Sequence, residues 1–207
     1  MDWVIAESAL GPWVLASASP RRRDLLSRVG LTFEVIPASV DEARLPGESP
    51  SDLCRRLAEM KAHRISQSRD TGTILGGDTV VALADDVFGK PQSEEEAWSM
   101  LSTLSTVEHD VLSGVALLHA PSGLGVSEVS HARVSFDHLD QDTLQEYVET
   151  GEWCGKAGGY AIQGGAQAFA HLIDGDLDTV IGLPMNSVHR LVHQLVATID
   201  ETRRGDS

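Results

Sequence analysis

Residues 14–23 read Val-Leu-Ala-Ser-Ala-Ser-Pro-Arg-Arg-Arg, and this stretch predicts a buried strand that passes directly into a helix. Residues 14–17 form the short apolar run of a buried strand. Ser19 belongs to the residue types that cap helices, and Pro20 suits the first helical position because its missing N–H is not needed there. A strand that leads into a helix in this way is typical of α/β proteins.

Helix and strand signals alternate along the rest of the chain. Capping residues, prolines and apolar periodicity predict helices at residues 20–30, 49–69, 93–104 and 140–149 and a C-terminal helix after Pro184. Apolar runs predict strands at residues 33–37, 74–77, 80–84, 110–119, 126–136 and 169–173, with a turn at Asp85-Asp86 and an antiparallel hairpin around residues 121–123. The pattern predicts an α/β fold with a mixed twisted sheet and flanking helices.

The composition limits the partners of the chain. Its 207 residues suit a single domain over residues 1–207, with a charged tail at 200–207 that we expect to fray. Sixteen Lys and Arg against 31 Asp and Glu give a net charge of −15, which disfavours a nucleic-acid polymer or an anionic membrane as partner. A small anion in a local basic pocket remains compatible with this charge, and so does a homodimer.

The same sequence predicts a cytoplasmic location. Asp2, Glu7 and the Gly11-Pro12 pair interrupt what would otherwise resemble a secretory signal, and no stretch approaches the roughly 20 apolar residues of a membrane span. Cys54 and Cys154 are 100 positions apart and lack a CxxC partner, which argues against a disulfide framework and suits a reducing compartment.

The junction at residues 17–23 combines several groups that bind anions. Ser17 and Ser19 contribute hydroxyl groups, the helix start contributes unpaired N–H groups, and Arg21 and Arg22 contribute guanidinium groups that suit phosphate oxygens. The alternative is a capped surface helix with solvated arginines. The residues alone leave both interpretations open.

Four further charged residues are candidates for chemistry. Lys61 interrupts an apolar helical stripe, so its ammonium group either reaches the surface or points to an anion. Asp78 follows Gly76-Gly77 at the end of an apolar run, where α/β proteins place ligand-binding groups, although Gly-Gly-Asp is also a common turn. Glu42 is a metal ligand or a solvated loop acid, and Lys90 belongs to a phosphate pocket or to a turn.

Seven motifs occur together in a fixed order: Ser17-Ala-Ser-Pro-Arg-Arg, Glu42, Lys61, Asp78-Thr79-Val80, Gly89-Lys90-Pro91, Gly158-Gly-Tyr-Ala-Ile-Gln-Gly164 and Gly182-Leu183-Pro184. In this order and spacing they resemble the Maf family of nucleoside triphosphate pyrophosphatases over about residues 13–195. The resemblance implies two lobes around a deep cleft, a fold of the Maf and ITPase kind. It also implies hydrolysis of a nucleoside triphosphate to the monophosphate and pyrophosphate with a divalent cation, Mg²⁺ or Mn²⁺.

The resemblance also implies roles for individual residues. Asp78 is the expected proton acceptor and, with Glu42, a metal ligand. The expected substrate-binding residues are Ser17, Ser19, Arg21, Arg22, Lys61, Thr79, Lys90 and Gln163. The pairing of Asp78-Thr79 with Gln163 resembles the branch that acts on dTTP and UTP. Two rival functions are a nucleotide-binding interaction protein that arrests cell division, a role also attached to this family, and a non-specific phosphomonoesterase.

Overall fold

The computed structural model describes residues 9–205. Asp2 and Glu7, which entered the argument against a secretory signal, lie outside the described residues, as do Asp206 and Ser207. Within the described range, no helix has both the length and the apolar character that a membrane span requires.

Seven strands form one mixed sheet. They are β1 (Trp13–Leu15), β2 (Phe33–Val35), β3 (Thr73–Leu83), β4 (Asp86–Phe88), β5 (Glu108–His119), β6 (Leu124–Phe136) and β7 (Ala170–Asp174). Their order is β2-β1-β3-β5-β6-β7, and β4 pairs with β3. Strand β1 is parallel to β2 and β3, whereas β3 with β4 and β6 with β7 are antiparallel. The predicted mixed sheet is therefore confirmed.

From Pro20 to Gly205, six helices alternate with these strands. They are α1 (Pro20–Ser27), α2 (Pro50–Ser66), α3 (Glu94–Leu104), α4 (Gln141–Glu149), α5 (Leu177–Ile181) and α6 (Met185–Gly205), and two short 3₁₀ turns lie at Ala157–Gly159 and Gly165–Ala168. Four of the helices begin after a side-chain cap, at Ser19, Ser49, Ser93 and Asp140. Each cap accepts a hydrogen bond from a backbone N–H that the first helical turn would otherwise leave unpaired.

Some predicted boundaries were wrong. The two predicted strands at 74–77 and 80–84 are one continuous strand, β3, which passes through Asp78 and Thr79. The predicted turn at Asp85-Asp86 ends one residue earlier, because Asp86 already pairs with Leu83 as the start of β4. Helix α6 extends to Gly205, and the fraying of residues 200–207 stays a prediction.

The chain divides into two compact units. Among the described residues, unit 1 comprises 9–78, 113–130 and 182–205, and unit 2 comprises 79–112 and 131–181. The single domain over residues 1–207 and the cleft between two lobes stay predictions.

Small and β-branched side chains form one core cluster of unit 1. Helix α2 contributes Ala58, Ala62 and Ile65, which pack on Val14 and Ile74 of strands β1 and β3. Because alanine is small, the helix axis comes close to the sheet, and side chains that flank this apolar stripe also approach β3. This close packing brings Lys61 toward the end of the unit 1 part of β3.

Unit 2 has an aromatic core instead. His109 and Tyr160 contact Phe136 edge to face, and Phe136 contacts Phe169 in the same way. The His109 Nε2 atom is 3.0 Å from the Tyr160 hydroxyl oxygen, so these two buried polar atoms form a hydrogen bond with each other.

Candidate active site

The junction between β1 and α1 holds Arg22 in a fixed position. The Ser17 hydroxyl is buried and accepts hydrogen bonds from Arg22 Nη1 and from the Ser19 backbone N–H, both at 3.2 Å. Arg22 Nε donates to the Gly182 carbonyl at 2.7 Å. The solvated-arginine interpretation is therefore wrong for Arg22, whereas Arg23 is exposed and contacts its neighbour Asp24 as a surface arginine does.

Two guanidinium groups lie in a partly dehydrated environment at this junction. Burial lowers the pKa of Arg22, and nearby Asp78 and Glu42 act in the opposite direction. Burial also lowers the pKa of Arg21, and the charge of Arg22 adds to that effect. Two cations held close together and away from water favour an incoming anion, because an anion would offset both charges.

Gly76 and Gly77 bring Asp78 to this junction. A Cβ atom on Gly76 would lie 2.1 Å from the Ala58 carbonyl oxygen, so only glycine lets α2 pack this closely on β3. A Cβ atom on Gly77 would lie 3.4 Å from Arg22 Nε, about the distance of ordinary van der Waals contact. Gly76 therefore serves close packing within a strand, and the turn interpretation of Gly-Gly-Asp is wrong.

Lys61 joins two carboxylates. Its Nζ atom lies 2.6 Å from Asp78 Oδ1 and 2.5 Å from Glu42 Oε1. Lys61 and Asp78 are both 6 % exposed, while the Glu42 side chain is 45 % exposed. The ammonium group thus points into the protein, and the snorkelling interpretation is wrong. Charge-assisted bonds of this length are short and directional, so the lysine fixes the orientation of both carboxylates.

Cys54 is a member of this cluster that the sequence analysis missed. Its Sγ atom accepts a hydrogen bond from the Gly114 N–H at 2.9 Å and lies 3.3 Å from the Asp78 carbonyl oxygen, to which its S–H donates. The thiol thereby connects β5 to β3 at Asp78. One signal was present in the sequence: Cys54 precedes Lys61 by seven residues, which places both on the same face of a helix.

Glu42 and Asp78, the two predicted metal ligands, lie close together, and their role as ligands stays a prediction. Since Lys61 Nζ is 2.5 Å from one carboxylate oxygen and 2.6 Å from the other, these two oxygens are no more than about 5.1 Å apart. The described residues contain no group of three or more His, Cys, Asp or Glu side chains arranged to hold a metal. Mg²⁺ is often bound by one or two carboxylates together with substrate phosphates and waters, and this pair matches that pattern.

The three remaining candidates belong to unit 2. Thr79 is half-buried on β3, Lys90 is exposed after β4, and Gln163 is exposed in the glycine-rich segment. Unit 2 brings the last two segments together, because the Gly158 N–H donates to the Gly89 carbonyl at 3.0 Å. Gly158 has a φ of +68°, and a Cβ atom there would lie 2.9 Å from a Val81 methyl carbon, so glycine is required. The roles of Thr79, Lys90 and Gln163 stay predictions.

In this α/β protein, unit 1 therefore contains one charged cluster. It consists of Arg22, Glu42, Lys61 and Asp78, together with the Ser17 hydroxyl that binds Arg22. A family model described as Maf-like protein matches residues 12–195. The chain belongs to the Maf family.

The curated relatives agree with this membership. The dTTP/UTP pyrophosphatase of Desulforamulus reducens is 43% identical over 177 residues, which cover 86% of this chain and 93% of the relative. The dTTP/UTP pyrophosphatase of Pelotomaculum thermopropionicum is 44% identical over 174 residues, covering 83% of this chain and 90% of the relative. Among solved structures, the Staphylococcus aureus Ham1 protein matches with a TM-score of 0.43 and 13% identity, covering 61% of this chain and 72% of that chain.

Proposed function

We propose that the protein hydrolyses nucleoside triphosphates to the nucleoside monophosphate and pyrophosphate, with dTTP and UTP as preferred substrates. The observation that carries the proposal is the Lys61 bridge between Asp78 and Glu42, which places a candidate base beside cations suited to phosphate. The names of the relatives, dTTP/UTP pyrophosphatase, support the substrate class.

The proposed mechanism uses the side chains of unit 1 to bind the triphosphate. The substrate carries about four negative charges, which Arg21, Arg22 and Lys61 offset in part, as cations do at phosphoryl-transfer sites. By resemblance, Lys90 adds a further positive charge. A divalent cation held by Glu42 and Asp78 would supply further charge neutralisation of the phosphate oxygens.

Asp78 then accepts a proton from a water molecule. The water oxygen forms a bond to the α-phosphorus, and the bond from that phosphorus to the oxygen bridging to the β-phosphate breaks. The electron pair leaves with pyrophosphate, and the proton of the water passes to the Asp78 carboxylate. Lys61 holds that carboxylate in one orientation through its 2.6 Å bond to Oδ1.

The base is proposed to be recognised by two neutral side chains. The Thr79 hydroxyl and the Gln163 amide both donate and accept hydrogen bonds, which suits the carbonyl-rich edge of thymine or uracil. The resemblance, together with the names of the relatives, supports these roles.

A nucleotide-binding protein that arrests cell division is the weaker alternative. Such a sensor needs the phosphate-binding cations but has no need of a carboxylate base beside them. The cluster contains that carboxylate, fixed by a buried lysine, and this arrangement favours catalysis.

Incubation with a panel of nucleoside triphosphates, followed by chromatographic identification of the products, tests the proposal. We expect the monophosphate and pyrophosphate in equal amounts, most rapidly from dTTP and UTP. Release of orthophosphate would indicate a phosphomonoesterase, and the absence of any product with Mg²⁺ or Mn²⁺ would favour the sensor.

A further inference from the structure

The loop that carries Glu42 has little burial of its own. Residues 41–47 are all exposed, and helix α2 begins shortly afterwards at Pro50. Yet Glu42 must be placed to within about half an ångström for its carboxylate to meet Lys61 at 2.5 Å. Something other than core packing therefore has to hold the loop.

Arg56 of α2 contacts this loop at several points. Its Nε and Nη2 atoms lie 2.6 Å and 2.8 Å from the two carboxylate oxygens of Glu48, a bidentate pair. Nη2 also donates to the Ala43 carbonyl at 2.9 Å. Ala43 directly follows Glu42, so one guanidinium group contacts the loop beside Glu42 and at its far end.

Glu48 also forms hydrogen bonds with other residues of the loop. Its carboxylate accepts a hydrogen bond from the Leu45 N–H at 3.0 Å, and its carbonyl accepts one from Arg44 Nε at 2.7 Å. The hydrogen bonds from Arg56 lower the pKa of Glu48 to about 2, so this carboxylate is ionised at neutral pH. Bidentate geometry gives such a pair more directional strength than an ordinary surface ion pair has.

We propose that Arg56 is a positioning residue for the active site: by pairing with Glu48 and the Ala43 carbonyl, it holds the 42–48 loop so that Glu42 reaches Lys61. Helix α2 then contacts the loop through two side chains, Arg56 and Lys61. This inference deepens the proposed function and rests on it for its kinetic part, whereas its structural part is independent of any activity.

The structural part is tested by limited proteolysis with trypsin after Arg44, an exposed residue of the loop. Arg56→Ala is compared with Arg64→Ala, since Arg64 is an exposed arginine of the same helix, and its Nη1 atom donates to Gln67 Oε1, three residues along the chain, at 3.4 Å. We expect cleavage after Arg44 to be about tenfold faster in Arg56→Ala than in wild type, and unchanged in Arg64→Ala, because local opening follows the loss of local contacts. Equal rates in the two variants would overturn the proposal.

The kinetic part uses a double-mutant cycle with Glu42→Gln. In the wild-type background, Arg56→Ala should lower kcat/KM and raise the Mg²⁺ concentration needed for half-maximal rate, each by about tenfold, the usual lower range for a residue that orients a ligand. In the Glu42→Gln background, Arg56→Ala should change neither. If Arg56→Ala lowers kcat/KM by the same factor in both backgrounds, Arg56 does not act through Glu42.

Glu48→Gln provides a second route if Arg56→Ala folds poorly, because it keeps the shape of the side chain and removes its charge. Glu48→Gln should speed up cleavage after Arg44 and lower kcat/KM, each to a smaller extent than Arg56→Ala does. The charge-exchanged double variant, Arg56→Glu with Glu48→Arg, should return both quantities part of the way to their wild-type values. If wild type itself lacks pyrophosphatase activity, the proposed function fails, and the trypsin comparison still decides whether Arg56 holds the loop. A wild-type response of Glu48→Gln in both assays would contradict the proposal.

Discussion

The two units differ in whether they bury a charged pair. Unit 1 buries Lys61 and Asp78 as an ion pair, and Lys61 also contacts the Glu42 carboxylate. In unit 2, the buried His109, Tyr147 and Tyr160 side chains are neutral. Burial lowers the pKa of His109 to about 4 and raises the pKa values of Tyr147 and Tyr160, so none of the three carries a charge near neutral pH.

This difference distinguishes the candidate site in unit 1 from the aromatic core in unit 2. Buried ion pairs often contribute less to stability than apolar residues of similar volume, because both ions lose their hydration. In unit 2, the hydrogen bond between His109 Nε2 and the Tyr160 hydroxyl joins two neutral groups, so it carries no penalty for dehydrating an ion. Retention of a charged cluster in unit 1 is therefore better explained by the charge of a ligand than by the stability of the fold.

The strongest test of this distinction is Asp78→Asn. The substitution removes the proposed base but keeps the shape of the side chain and an oxygen for Lys61. We expect kcat to fall by more than about 100-fold, the usual lower range for loss of a general base, with little change in the melting temperature. Steady-state rates with Mg²⁺ measure this effect, and Asp70→Asn, at an exposed position, is the matched control. A near-normal rate in Asp78→Asn would remove Asp78 from the mechanism.

Lys61→Ala tests whether the charges of unit 1 depend on one another. Without the ammonium group, the carboxylates of Glu42 and Asp78 face each other, and we expect destabilisation of up to about 3 kcal/mol together with loss of turnover. Adding Asp78→Asn should recover part of the stability but none of the activity. Thermal unfolding of the single and double variants measures their stability, and steady-state rates measure their activity. A wild-type melting temperature in Lys61→Ala would show that the bridge is not a coupled cluster.

His109 provides the corresponding test for unit 2. Its pKa of about 4 in the folded protein lies below the ordinary value of 6.5, so the unfolded chain binds a proton that the fold excludes. The resulting stability is present above pH 6.5 and is lost as the pH falls toward 4. We expect about 2 kcal/mol of loss between pH 7 and pH 5. His109→Gln should flatten this part of the pH profile in chemical denaturation, and an identical slope in both proteins would contradict the assignment.

The smallest predicted effect concerns the choice of base by two neutral residues of unit 2. Thr79→Gln with Gln163→Glu should shift the ratio of kcat/KM from dTTP toward 7-methyl-GTP by about tenfold, because each buried polar mismatch changes binding by about 1–3 kcal/mol. Gln167→Glu adds the same charge four residues further along and should leave the ratio unchanged. A flat substrate profile in wild type and in the double variant would show that these residues do not recognise the base.

Elements with local signals were predictable from the sequence. Ser19 and Pro20 identify the start of α1 within two residues, and the Ser49 cap identifies the start of α2 in the same way. The path of β3 through Asp78 was not predictable, because Gly-Gly-Asp is locally compatible with a turn. That segment lies within the sheet between β1 and β5, and it contacts Ala58 and Cys54, all of which are distant in sequence.

The site was predictable only in part, and for the same reason. The resemblance supplied Glu42, Lys61 and Asp78, and the structure brings these three together. The Arg56–Glu48 pair gave no signal, because Glu48 precedes the helix and the two residues lack the three- or four-residue spacing of helical ion pairs. Such pairs depend on how a loop folds back on a helix.

Hydrolysis of dTTP in water enriched in ¹⁸O, with mass analysis of both products, tests the central claim most directly. That claim is that the charged cluster of unit 1 directs water to the α-phosphorus. The account predicts one ¹⁸O atom in the nucleoside monophosphate and none in pyrophosphate. Label in pyrophosphate would place the attack on the β-phosphorus, and label in orthophosphate would indicate a different cleavage, and either result would contradict the account.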